Sequence, residues 1–166
     1  MPVYTELLSD DQIISIVPDN YHNLLIIGCG ACTNESIAFK CGYPIFKLEE
    51  EEEIYPYATV MELKRIQNLL EKNGYNVSIK YYNDIDGFFC MKNINNDNYT
   101  LEWKNVPDAI LCMCCPGGIS ALKKTVGSIP LLGITKLMGT LSYVYEDREG
   151  TRVIIKEKSK AVVFGE

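Results

Sequence analysis

The sequence predicts an α/β fold: a three-layer, Rossmann-like arrangement around a mostly parallel sheet, with a C-terminal β-hairpin. Three observations lead there. Short aliphatic runs alternate with stretches of helical periodicity, the order that builds a parallel sheet. Ala109 to Cys115 is apolar at successive positions, as a strand covered on both faces requires. Leu141–Tyr145 and Thr151–Ile155 flank a turn at Asp147–Gly150, which reads as a hairpin. The chain has 166 residues, 47% of them hydrophobic and 23% charged, enough for one core and too few for two. A single domain over 1–166 is expected, with a cysteine-bearing core at about 24–140 and a hairpin tail at about 141–166.

Along the chain, Ser9 with Gln12 forms a capping box opening a short helix through Ile13, Ile14 and Ile16, which Pro18 ends. Leu24–Ile27 is a compact aliphatic strand that stops at Gly28. Thr33 or Asn34 is a candidate cap for a helix through Ile37 to Lys40. The five glutamates at 49–53 read as a solvated loop. Thr59 and Glu62 read as a second capping box, and Val60, Leu63, Ile66, Leu69 and Leu70 supply a helical stripe closed by Asn73-Gly74. Val77–Tyr81 is a strand, and the Asn/Asp-rich stretch 93–98 a loop. After the strand at 109–115, Pro116-Gly117-Gly118 opens a helix carrying Ile119, Leu122 and Val126 on its inner face. Ile129–Ile134 and Ala161–Phe164 are further strands.

A net charge of −6 leaves no basic surplus for a nucleic-acid partner, and Lys156, Lys158 and Lys160 read as a solvated strand or tail. No apolar run approaches the roughly 20 residues that span a bilayer. The opening MPVYTELLSDDQ lacks the pattern of a signal peptide, so a cytoplasmic, reducing location is expected. Seven cysteines there need a reason other than disulfides.

Their spacing offers one. Gly28-Cys29-Gly30-Ala31-Cys32 sits where a strand ends and a helix begins, and Cys114-Cys115-Pro116-Gly117-Gly118 sits at the same point of a later unit. In a doubly wound sheet both points lie at the carboxyl edge, where ligands bind at the topological switch. Two thiolates at Cys-x-x-Cys spacing reach one metal or cluster, and Gly28, Gly30, Gly117 and Gly118 relieve the tight backbone around it. Helix N-termini are expected to lower the thiol pKa values. Four-thiolate sites need two more ligands, for which Cys90 and Cys115 are the best placed. Cys112 and Cys114 read as core, and Cys41 as incidental.

Other chemistries match less of the pattern. Gly28-x-Gly30 begins a dinucleotide fingerprint, but Thr33 stands where its third glycine belongs. His22 is the only histidine and precedes a strand, so no acid–base pair stands out. A thioredoxin-type dithiol at Cys29 and Cys32 stays open, without a recognisable cis-proline context.

The order of these motifs resembles the cysteine-rich C-terminal domain associated with methylenetetrahydrofolate reductases, also found as a separate small subunit in acetogenic bacteria. The resemblance runs over roughly 24–140: the aliphatic strand ending in Gly-Cys-Gly-x-Cys, the single Cys90, Pro107-Asp108-Ala109-Ile110 leading to Cys115-Pro116-Gly117-Gly118, and Ile129-Pro130-Leu131-Leu132. Departures are Thr33-Asn34-Glu35-Ser36 in place of a further cysteine and Gly-Gly-Glu, extra residues at 41–58, and a hairpin in place of a cysteine-rich tail. The resemblance implies a 4Fe-4S cluster on Cys29, Cys32, Cys90 and Cys115. It also implies a protein partner, a reductase or other redox subunit.

The expected function is therefore a metal-thiolate accessory protein rather than an enzyme on its own, working by electron transfer or as interface structure. Rival readings are a structural zinc site in an interaction module, and a small-molecule-binding domain with core cysteines. A homodimer is a further possibility. Docking beside a partner's cofactor would place 41–58 and 87–99 at the cluster edge and expose aromatics such as Tyr43, Phe46, Phe88 or Phe89.

Overall fold

The computed structural model describes residues 2–49, 52–54, 56–82, 90 and 105–165. The chain runs β1 (Val3–Leu7), α1 (Asp10–Ile16), β2 (Asn23–Cys29), α2 (Cys32–Cys41), β3 (Phe46–Glu49), β4 (Glu52–Ile54), α3 (Tyr57–Lys72) and β5 (Asn76–Tyr82). It continues with β6 (Ala109–Met113), α4 (Pro116–Thr125), β7 (Leu131–Gly133), β8 (Thr135–Ser142), β9 (Tyr145–Arg148), β10 (Thr151–Ile154) and β11 (Lys160–Val163).

The parallel sheet has the order β5-β2-β6-β7. Its first strand in sequence, β2, therefore lies between the second and the third, and the chain changes direction across the sheet at β2/β6. The predicted adjacency holds: β2 and β6 are parallel neighbours, with Leu24 opposite Ala109 and Gly28 opposite Met113. Both strands are buried along nearly their whole length, since alternate side chains enter two separate apolar clusters. Leu24, Ile26, Ala109, Leu111 and Met113 join Leu63, Ile66 and Leu70 of α3. Leu25, Ile27, Cys29, Ile110, Cys112 and Cys114 join Ala121 and Leu122 of α4. The helix expected at 60–73 packs through Leu63, Ile66 and Leu70 of its apolar stripe, all with no exposed area. No helix among the described residues is long and apolar enough to cross a membrane.

The rest of the fold departs from a mostly parallel design. Two antiparallel sheets accompany the parallel one, in the orders β1-β8-β11 and β4-β3-β10-β9. The expected hairpin is β9–β10, with Thr151 opposite Arg148 across Glu149-Gly150. Its first strand starts at Tyr145, because Leu141 belongs to β8, which pairs with β1 and β11. The glutamate run is not simply a loop. Glu49 and Glu52 pair across an antiparallel β3–β4 ladder.

Two caps also differ. Ser9 and Gln12 make both bonds of the capping box, as expected. The box at Thr59 and Glu62 does not form, because α3 begins at Tyr57 behind Pro56. Thr59 is spent elsewhere: its N–H donates to Asn34 Oδ1 (2.8 Å) and its hydroxyl to the Cys29 carbonyl (2.9 Å). Thr33 and Asn34 likewise lie inside α2, whose cap position is Ala31. Asn34 instead donates to the Ile45 carbonyl at 3.1 Å.

Candidate metal centre

The ends of β2 and β6 carry the two cysteine motifs to one place. Register sets Gly28 beside Met113, so Cys29 and Cys114 follow abreast and Cys115 stands one residue further out. From there α2 and α4 begin, α4 with Cys115 in the cap position and Pro116 in its first turn, where proline's missing N–H costs nothing. Cys90 arrives from the β5–β6 connection. A Cβ placed on Gly117 would stand 3.3 Å from Cys90 Cβ, 3.6 Å from Cys115 Sγ and 3.9 Å from Cys90 Sγ. Gly117 thus lies against both of these cysteines.

Gly28, Gly30 and Gly118 are buried, whereas Gly117 is exposed. Gly28 admits the close approach of α3: a Cβ there would meet Thr59 Cγ2 at 2.6 Å. Hydroxyls hold the carbonyls of the cysteine loops. Thr59 donates to Cys29 (2.9 Å), Ser36 to Cys32 (2.8 Å) and Thr135 to Cys114. Locking a ligand loop through its backbone keeps the sulfur positions defined.

The thiols influence one another. Burial pushes the Cys29 thiol up to about 12; the Ala31 N–H opposes this, and Cys115, Cys32 and Cys90 add to it. Burial also raises Cys32, against the Val3 N–H, with Glu35, Cys115 and Cys90 adding to the rise. Cys90 is raised by burial and then by Cys115. For Cys29 and Cys32 the direction is opposite to the lowering expected of helix N-termini, because desolvation outweighs one amide donor per sulfur. A metal entering here must displace protons, as thiolate ligation requires.

Cys112 and Cys114 are fully buried in the cluster under α4, as expected of core thiols. Cys114 is raised well above the ordinary thiol value, first by its hydrogen bond to Cys112. Cys41 is exposed at the end of α2, and the charges that act on it are Glu62, Lys40, Arg65 and Lys156 rather than other cysteines. Tyr43 and Phe46 are half-buried, so they are not the freely exposed aromatics expected of a docking edge. Phe88, Phe89 and the loop at 93–98 lie outside the described residues.

Among the described residues, no group of three or more His, Cys, Asp or Glu stands close enough to hold a single metal ion. The four thiols are gathered without being drawn to one point. No family model, curated protein or solved structure matches the chain.

Sequence reasoning missed Ser36, Thr59 and Thr135. Each acts through a backbone or hydroxyl contact between distant segments, and no local spacing marks such contacts.

Proposed function

We propose that this chain is a metal-thiolate accessory protein that binds a 4Fe-4S cluster on Cys29, Cys32, Cys90 and Cys115. The observation that carries the reading is the gathering of these four thiols, from three chain segments, at the sheet edge where β2 and β6 end. The donor set fits the group, because four soft sulfurs are what such clusters take. When bound, the cluster supplies one-electron transfer, and this chain's residues supply burial, amide donors and fixed loops.

A three-layer, Rossmann-like architecture is the fold reading that goes with this site, supported by the two apolar clusters under α3 and α4. The partner we infer is a redox enzyme of one-carbon metabolism, of the methylenetetrahydrofolate reductase kind. That part of the reading rests on the resemblance of the motif order.

Anaerobic preparation, followed by assay of iron, sulfide and zinc, tests the site. Brown protein with iron and sulfide near four each per chain is expected. Single Cys→Ser changes at 29, 32, 90 or 115 should lose most of the metal, and Cys41→Ser and Cys112→Ser should not. Colourless protein with one zinc per chain would transfer the site to structural zinc. Protein that takes up neither metal would leave the cysteines as core residues of a small-molecule-binding domain.

A further inference from the structure

Gly117 has no side chain to keep its two cysteine neighbours apart. The point its Cβ would occupy lies 3.6 Å from Cys115 Sγ and 3.9 Å from Cys90 Sγ, so both sulfurs border one small gap. Cys90 Cβ lies 3.3 Å from the same point, which sets the Cys90 side chain against the first turn of α4, the helix that Cys115 caps. Both thiols are free, Cys90 exposed and Cys115 half-buried, so a small reagent in water reaches the pair. The pair closest in sequence is built differently. Cys29 is buried at the end of β2, and the carbonyls of Cys29 and Cys32 are held by the hydroxyls of Thr59 (2.9 Å) and Ser36 (2.8 Å). Cys112 and Cys114 are closed off from water altogether, and Cys41 stands apart at the end of α2.

We propose that Cys90 and Cys115 are the oxidation site of the metal-free chain, closing to an intramolecular disulfide when they meet a low-molecular-weight disulfide. The exchange takes two displacements. Cys90 Sγ, its proton lost to water, attacks one sulfur of the reagent; that S–S bond breaks, a mixed disulfide forms on Cys90, and one small thiolate leaves. Cys115 Sγ, deprotonated in turn, attacks Cys90 Sγ, forms the Cys90–Cys115 bond and expels the second small thiolate. The two leaving thiolates take up the two protons. The protein has then lost two hydrogens and two electrons, and the reagent is reduced to two thiols. An accessible cysteine beside a second one that resolves it is the arrangement such chemistry needs. The inference rests on the placement of the two sulfurs and on no metal. Under the cluster reading above, the same bond withholds two of the four ligands, so oxidation and cluster binding exclude one another.

The full metal-free chain, folded and kept from oxygen, is incubated with oxidised glutathione, its remaining thiols are alkylated, and its peptides are mapped by mass spectrometry. Cleavage after Lys92 and Lys104 separates the two cysteines, and fragmentation tells Cys115 from Cys112 and Cys114 in its peptide. One linked pair joining Cys90 to Cys115 is expected, with every other cysteine alkylated, and dithiothreitol should restore alkylation at both. Cys115→Ser should halt the reaction at a lasting glutathione adduct on Cys90, whereas Cys41→Ser should leave the bond unaltered. The map of the unaltered chain decides the matter if a variant fails to fold by circular dichroism. A bond between Cys29 and Cys32 instead, oxidation confined to Cys41, a lasting adduct on Cys90 of the unaltered chain, or no reaction at all overturns this inference and leaves the cluster reading in place. A Cys90–Cys115 bond in a chain that takes up no iron supports the inference and overturns the cluster reading alone.

Discussion

Two glycines of the site are constrained in different ways, and their alanine variants should separate folding from binding. At Gly28 a methyl group would press on Thr59 Cγ2 at 2.6 Å and Leu63 Cδ1 at 3.0 Å, both inside the packed contact with α3. Gly28→Ala should lose about 1–3 kcal/mol, seen as a lower urea midpoint at unchanged slope. An unmoved midpoint would mean that α3 can retreat at no cost. At Gly117 the nearest neighbours are the cysteines themselves, the closest being Cys90 Cβ at 3.3 Å. Gly117 lies in the first turn of α4, where alanine favours helix by roughly 0.8–1.0 kcal/mol over glycine. Gly117→Ala should therefore keep or raise stability while weakening iron and sulfide uptake, and unimpaired uptake would remove Gly117 from the site. Glycines and cysteines of this kind are visible in a sequence because their chemistry is local. The carbonyl locks from Thr59, Ser36 and Thr135 are not, since a hydroxyl's partner depends on which segments the fold brings together.

Among the elements, β2, β6 and α3 were the most legible, because burial on both faces of a strand and one face of a helix leaves its period in the residues. Replacing Leu63, Ile66 or Leu70 of α3 by alanine should lose about 2–5 kcal/mol each, read by denaturant titration. Losses well below that range would show that the cluster closes around the gap. β1 and the β3–β4 pair were illegible for the converse reason. β1 is half-exposed and short, and β4 is mainly glutamate, so neither carries a clear alternating pattern. Their pairing is decided by partners far along the chain, Thr135–Thr140 for β1 and Arg152 and Thr151 for β3. The β2/β6 register has its own pin at the opposite edge from the cysteines. Asp108 Oδ2 accepts from the backbone N–H of His22 (2.8 Å) and of Asn23 (2.9 Å). These donors, Asn23 foremost, hold its carboxyl below the ordinary value. A carboxyl lowered on folding stabilises above its unfolded pKa of about 3.9, and that contribution fades as the pH falls through the folded value. Asp108→Asn should accordingly flatten the acid limb of stability against pH, and an unaltered limb would show that the pin has no energetic weight.

At the scale of the whole molecule, the proposed ligands tie three separated stretches of chain: the β2–α2 loop, Cys90 between β5 and β6, and the start of α4. Most of the molecule folds through apolar burial that needs no metal, as the two clusters beneath α3 and α4 show. The metal-free chain is therefore expected to be folded, unlike a small domain whose core is the metal itself. A metal that binds the folded chain and not the unfolded one stabilises it by mass action, by about 2.7 kcal/mol at a free concentration near 100 times Kd. For a domain of this size that corresponds to a rise in Tm of roughly 5–10 °C. Thermal melts of the cluster-reconstituted chain, recorded anaerobically, should show a rise over the metal-free chain that Cys90→Ser mostly loses. The choice of Cys90 matters because the sheet already fixes the other three ligands. β2 and β6 hold Cys29, Cys32 and Cys115 at one edge in any case. Cys90 alone comes from a connection outside the strands, so its place beside Cys115 is the one a bound metal would secure. A rise that survives Cys90→Ser in full would confine the site to the sheet edge and leave the β5–β6 connection without a part in it.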